Sequence, residues 1–474
     1  MAEDHIPLGP NLSRSPFDRG RSDQQKSPEE RRLQESSEQV SGRLNTWETM
    51  LVMAGACSGA VALTTVALAV SAGFSGILVL CMIVPALVYT AILLGRCWNM
   101  VRHKWQHERH PYGAIGYEAF GDVGRSAINV MIVVSSFSFS AATLIVSAEL
   151  LFLVSEETFR GMFCYLPLIF ACLALPLTWL GTPKDIWQIG ALALCSAALA
   201  VILLCIGLVV AFFDDTSSPN VTDSTSPPST VQRRLSYPLL LMEICGTSLF
   251  ALGGHALFPT VQQDMQKPEK YTRVTLLVFG YLTSSIILVT VVSYIFLPHD
   301  LLLTITSDAN IINLLPRSLL TTIPALLYFV HHCTMIVTNN NPLFQYVEER
   351  LDIPKEFSWR RMLSRSTIIF LEVFVAESIP RFGLLATLVG GVVSPMLSLA
   401  APCLCYLRLR SIETPDDFKK SKGIWMLETV VCWLISAFTP VIMIAIMYIA
   451  GSSITSGNTV FKVPCYVNAT LAHE

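Results

Sequence analysis

Between residues 46 and 450 the chain returns repeatedly to runs of about 20 apolar residues, the length a helix needs to cross the hydrocarbon core of a bilayer. Eleven such segments fall at roughly 46–71, 75–95, 126–154, 162–180, 186–213, 237–260, 273–297, 317–338, 363–380, 383–406 and 424–450. Lipid offers no hydrogen bonds to a backbone, so segments of this kind must be helices that satisfy themselves. Composition agrees: 52% of residues are hydrophobic and only 14% charged, against about 25% charged in soluble domains. The expected fold class is an all-α polytopic membrane protein with eleven transmembrane helices over 45–451. No nucleotide loop, metal-ligand cluster or nucleophile motif stands out in the polar stretches, which argues against an enzyme and against any cofactor. The segment 343–361 mixes aromatic, Glu and Arg residues and reads as a surface amphipathic connector rather than a nucleic-acid patch.

The sixth segment does not read as a plain anchor. Residues 246–267 are GTSLFALGGHALFPTVQQDMQK. Adjacent glycines, Gly253 and Gly254, are followed by His255 and Pro259, and glycine and proline are the costliest residues in a helix interior. A helix that breaks at membrane depth frees backbone N–H and C=O groups, which are tolerated only where protein buries them or a cavity meets them. The segment is therefore expected to form one wall of a substrate site. The first segment carries a matching interruption at Ala54-Gly55-Ala56-Cys57-Ser58-Gly59. Five spans separate the two. This predicts a five-plus-five inverted repeat with broken helices 1 and 6, and an eleventh helix outside it.

Orientation follows the basic residues. With the N-terminus in the cytosol, 26 of the 32 Lys and Arg fall on the cytosolic side. Residues 1–44 are polar and read as a disordered cytosolic tail, leaving insertion to the first apolar segment. Residues 452–474 become a short extracellular or luminal tail. The sequons at Asn220 and Asn468 then lie on the side where glycosylation occurs. Cys164 and Cys465 face the same oxidising side, where they either pair or remain two thiols. Most of the other cysteines lie in apolar runs and act as small hydrophobes.

The motif Phe250-Ala251-Leu252-Gly253-Gly254-His255, followed by Phe258-Pro259-Thr260-Val261-Gln262 and Lys267-Pro268, resembles the amino acid/auxin permease family. So do Gly95-Arg96-Cys97-Trp98, Ile115-Gly116-Tyr117-Glu118-Ala119-Phe120-Gly121, Asn341-Pro342-Leu343-Phe344-Gln345 and Gly390-Gly391. The resemblance covers about 46–450. It implies secondary active transport of amino acids and a cation site framed by the first and eighth spans. One departure stands out. The family's first span carries Gly-Ser-Gly and then Leu-Pro, where this chain has Cys57-Ser58-Gly59 and Leu63-Thr64.

A zwitterionic amino acid needs N–H donors for its carboxylate and carbonyls for its ammonium, and broken helices expose both. The substrate candidates are Cys57, Ser58, Gly59, Phe250, Leu252, Gly253 and Gly254, with Phe250 as a lid or a packing residue. Candidates for proton or cation coupling are His255, His331, His332, Thr334 and Glu372; histidines suit protons, hydroxyls suit Na⁺. His255 either titrates or caps the broken helix. Glu149, Glu243, Glu377 and Glu428 sit nearer span ends, where interfacial water is in reach, and Glu243 is placed on an outer vestibule. The expected partners are an amino acid, H⁺ ahead of Na⁺, and the lipid bilayer of a plasma or vesicular/lysosomal membrane. A non-transporting amino-acid sensor and a sodium-coupled carrier are the alternatives.

Overall fold

The computed structural model describes residues 44–59, 61–105, 108–154, 163–180, 187–213, 236–298, 311–354, 356–378, 382–413 and 422–455. The expected glycosylation sites Asn220 and Asn468 and the tail residues 1–43 and 456–474 lie outside them, as does the break at 379–381. Among the described residues the regular structure is helical, apart from one isolated bridge between Leu44 and Met265.

We number the helices α1 (Thr46–Cys57), α2 (Val61–Ser71), α3 (Phe74–Val101), α4 (Pro111–Val154), α5 (Leu166–Thr178), α6 (Trp187–Phe213), α7 (Tyr237–Leu252), α8 (Phe258–Gln263), α9 (Tyr271–Phe296), α10 (Leu319–Asn339), α11 (Asn341–Arg350), α12 (Trp359–Ser378), α13 (Phe382–Pro395), α14 (Ala401–Glu413) and α15 (Lys422–Thr455). Eight described stretches are long and apolar enough to cross a membrane, with Tyr237–Gln263 taken as one, and α5 is a shorter apolar helix. The chain is thus a multi-pass integral membrane protein.

Local sequence sets the element ends. Asn45 caps α1: its side chain accepts from Trp47 and Glu48 N–H groups, and the Glu48 carboxylate accepts in return from the Asn45 N–H. The third apolar segment begins earlier than hydropathy alone indicates. Its helix starts at Pro111 and turns sharply at Gly121, whose φ of 67° only glycine adopts freely. The tenth apolar segment of the sequence forms α13 and α14, joined through a π-helical turn, Met396–Ala400.

Small residues decide how closely the helices pack. A Cβ on Gly55 of α1 would lie 2.4 Å from the Gly190 carbonyl of α6, and one on Gly190 would lie 2.8 Å from Val52 Cα. The two backbones touch there, as small residues permit in membranes. α10 packs on both α6 and α4. A large apolar core surrounds the ends of α1 and α7.

The connector after α10 differs from expectation. α11 stops at Arg350 and buries Asn341, Leu343, Phe344 and Glu348, so it is packed into the protein rather than laid on its surface. The reason is electrostatic. Glu348 Oε1 accepts from Arg365 Nε at 2.6 Å and lies 3.3 Å from Arg361 Nε. Arg365 Nη1 also donates to the Thr178 and Leu180 carbonyls at the end of α5.

Candidate functional site

The sixth span breaks where its glycines predict. α7 ends at Leu252; Gly253 has φ −78° and ψ 45°; Gly254–Ala256 form a single 3₁₀ turn; and α8 starts at Phe258 with Pro259 in its first turn. That turn is where proline costs least, because its missing N–H has no helical acceptor. In the first span, α1 stops at Cys57 and Ser58 adopts φ −94° and ψ 18°.

The two interruptions meet. A Cβ on Gly254 would lie 2.7 Å from Cys57 Sγ and 2.6 Å from Phe258 Cε1. A Cβ on Gly253 would strike the Leu249 carbonyl at 2.2 Å and lie 3.0 Å from Ser398 Oγ in the π turn. Neither glycine has room for a side chain. Cys57, Ser58, Gly59 and Leu252 border a common cavity of about 30 Å³, completed by Tyr281, Ser285 and Tyr328 among others. That volume holds a water or two. Ligand pockets run to about 300–1,000 Å³, so nothing of that size fits this closed arrangement. Phe250 is 4% exposed and packs on Phe139 of α4, with ring centroids 5.2 Å apart.

The candidate histidines divide. His331 faces the first break: Nε2 would lie 3.4 Å from a Cβ on Gly59, and Nδ1 is 2.8 Å from the Ala193 carbonyl of α6. His332 turns toward α4, where Nδ1 is 2.9 Å from Ser147 Oγ. The pair therefore does not converge on one ion. His255 is fully buried, with Nε2 3.1 Å from Thr90 Oγ1 of α3. The Thr334 hydroxyl donates to the His331 carbonyl one turn back, so its proton is spent within α10.

The carboxylates differ from their expected settings. Glu243 is 3% exposed and does not line an open vestibule. Glu428 is drawn into a polar group with Arg96, Arg410 and Tyr406. Glu372 is fully buried and accepts from Ser140 at 2.7 Å and Asn340 at 3.1 Å. Cys164 is buried and disulfide-bonded; Cys465, its partner in one of the two sequence readings, lies outside the described residues.

Sequence reasoning missed Asn339, Asn340, Ser140 and Ser398. The three-asparagine run at 339–341, at the end of an apolar helix, was the available signal for the first two. Ser398 is fully buried and its hydroxyl has no partner. π turns of this kind recur at functional sites.

The interruptions after α1 and α7 thus meet inside an all-helical membrane protein. The structure is similar to that of MhsT in complex with L-phenylalanine, at TM-score 0.52 and 14% identity over 82% of this chain and 98% of that one. It is likewise similar to a mutant manganese transporter of Eremococcus coleocola, at TM-score 0.53 and 14% identity over 87% and 88%. The chain belongs to the transmembrane amino acid transporter protein family, whose model matches residues 42–450. Amino acid transporter AVT1E of Arabidopsis thaliana is 26% identical over 368 residues, 74% of this chain. The match spans 64% of that relative's own length.

Proposed function

We propose that the protein is a secondary active transporter of amino acids, coupled to protons, working by alternating access around the interruptions at Cys57–Gly59 and Leu252–Gly254. The observation that carries this reading is the contact between the two breaks, with Gly254 against Cys57 Sγ. It puts the broken ends of two helices beside one small cavity, the chemistry a zwitterion needs. Eleven spans, a five-plus-five repeat and a cytosolic N-terminus complete the reading. Family membership and the fold of the structural neighbours support transport. Protons are preferred to sodium because a titratable imidazole, His331, is among the α10 side chains that face the first break.

The test is uptake of a labelled mixture of the standard amino acids by proteoliposomes, with an imposed pH or sodium gradient. Accumulation driven by the pH gradient is the expected result. Binding without accumulation would replace the transporter by a sensor. Accumulation that responds to sodium alone would refute proton coupling.

A further inference from the structure

Glu372 lies on α12, and its surroundings are incomplete in one specific way. The Ser140 hydroxyl of α4 donates to Oε2 at 2.7 Å. Asn340 Nδ2 donates to the same oxygen at 3.1 Å and to Ser140 Oγ at 2.9 Å. Glu372 Oε1 has no hydrogen-bond partner, and neither has Asn340 Oδ1. Both donors point at one carboxyl oxygen, and two buried acceptors are left with none.

No basic side chain completes the site among the described residues. On α12 itself, Arg361 and Arg365 are held by Glu348 of α11, and Arg365 is seven residues from Glu372, about 10 Å along the helix. Glu377 follows on the same helix. α11 also carries Glu349 and Arg350 at its far end. α5 contributes no charged residue. On α4 the nearest ionisable residue toward the far end of the helix is Glu149, nine positions from Ser140. His332 of α10 is engaged by Ser147. A carboxylate buried without a cation is strongly disfavoured. One added proton removes the charge and turns the orphaned Oε1 into a donor. Two free oxygens fall short of the about six that hard divalent cations such as Ca²⁺ and Mg²⁺ take.

We propose that Glu372, set by Ser140 and Asn340, is the site that binds and releases the coupling proton. The proposal rests on the proton-coupled reading above and gives it a place. Water delivers the proton to Oε1 on one face of the membrane, and the O–H bond breaks again on the other. The connection to substrate is one residue long. Asn340 holds Glu372, and its neighbour Asn339 donates to the Ala56 carbonyl at the end of α1 at 3.2 Å. A change at the carboxyl that shifts the end of α10 is thereby felt at the first break.

The experiment uses the full chain in proteoliposomes, with the labelled amino acid mixture as probe. Glu372→Gln is expected to lose pH-gradient-driven accumulation down to the level of empty liposomes while retaining exchange of internal for external amino acid. Ser140→Ala removes a donor that favours the charged form, so the pH midpoint of uptake moves upward by about one unit. If Glu372→Gln does not fold, dicyclohexylcarbodiimide, an apolar reagent for protonated carboxyls, is applied to the unmodified protein. Mass spectrometry then finds the adduct on Glu372, diminishing as pH rises. Unaltered pH-driven accumulation by Glu372→Gln overturns the proposal, as does an unlabelled Glu372 at every pH, or sodium-driven accumulation that Glu372→Gln loses. Failure of the unsubstituted protein to accumulate anything under a pH gradient would instead strike the proposed function, and the labelling would still test Glu372.

Discussion

Asn339 Nδ2 on α10 donates to the carbonyl of Ala56, one residue before α1 ends, at 3.2 Å. The last carbonyls of a helix have no donor of their own, and at membrane depth water does not substitute. α10 thus supplies the donor for Ala56, beside the Ser58 hydroxyl that donates to the Ala54 carbonyl. Asn339→Leu leaves the Ala56 acceptor unpaired, at about 1–3 kcal/mol. Uptake by Asn339→Leu is expected to fall strongly while the amount of protein in the membrane stays the same, and Asn339→Gln is expected to recover part of it.

Gly253 and Gly254 are required by contact rather than by chain freedom. An added methyl meets the Leu249 carbonyl at 2.2 Å in one case and Cys57 Sγ at 2.7 Å in the other. Gly253→Ala and Gly254→Ala are each expected to abolish accumulation. Gly280 on α9 is the control, because a Cβ there meets nothing within 4 Å. Gly280→Ala should leave uptake intact and gain up to about 1 kcal/mol of helix stability, read from the thermal midpoint in detergent.

The end of α1 depends on Asn339, a group that sequence pattern does not single out. The sixth break was legible because Gly253, Gly254 and Pro259 are costly in a helix wherever they stand. Ser140, Asn340 and Ser398 were not. A serine in an apolar helix usually bonds its own backbone four residues back, as Ser147 and Ser248 do here. Only the approach of a second helix tells Ser140, facing Glu372, from those. The same blindness explains α11: its polar face looks solvent-bound until Arg365 arrives from α12 to bury Glu348.

The Glu348 cluster is a buried charge group near the end of α5. Glu348 is 3% exposed, and Arg365 is 1% exposed with its guanidinium 4.9 Å from the Phe344 ring centre. Glu348→Ala strands two buried guanidiniums, which typically costs about 3–5 kcal/mol. A large drop in thermal midpoint is expected, and Glu348→Leu combined with Arg365→Met is expected to restore part of it.

His110 precedes α4, with only 6% of its side chain exposed. Burial, followed by the charges of Arg125, Arg109 and Arg350, lowers its pKa to about 4 against an opposing pull from Glu108. Glu349 Oε2 stands 2.8 Å from its Nε2, and burial is the largest influence on the ring. A depressed value means the folded chain keeps the ring neutral while the unfolded chain protonates it near its ordinary 6.5. Its contribution to stability is therefore intact above pH 6.5 and lost as pH falls toward 4, by up to about 3 kcal/mol. Thermal melts across that window should show the loss, and His110→Phe should flatten it.

Leu44 is buried, its N–H donates to the Asp264 carbonyl, and its carbonyl accepts from the Gln266 N–H, both at 2.8 Å. These two bonds tie the chain just ahead of α1 to the chain just beyond α8. The entry to one broken span and the exit from the other are thus stitched together by backbone alone, whatever their side chains. Any motion that separates those two half-helices must first unfasten this stitch, so the two halves move as partners or the stitch is where opening begins.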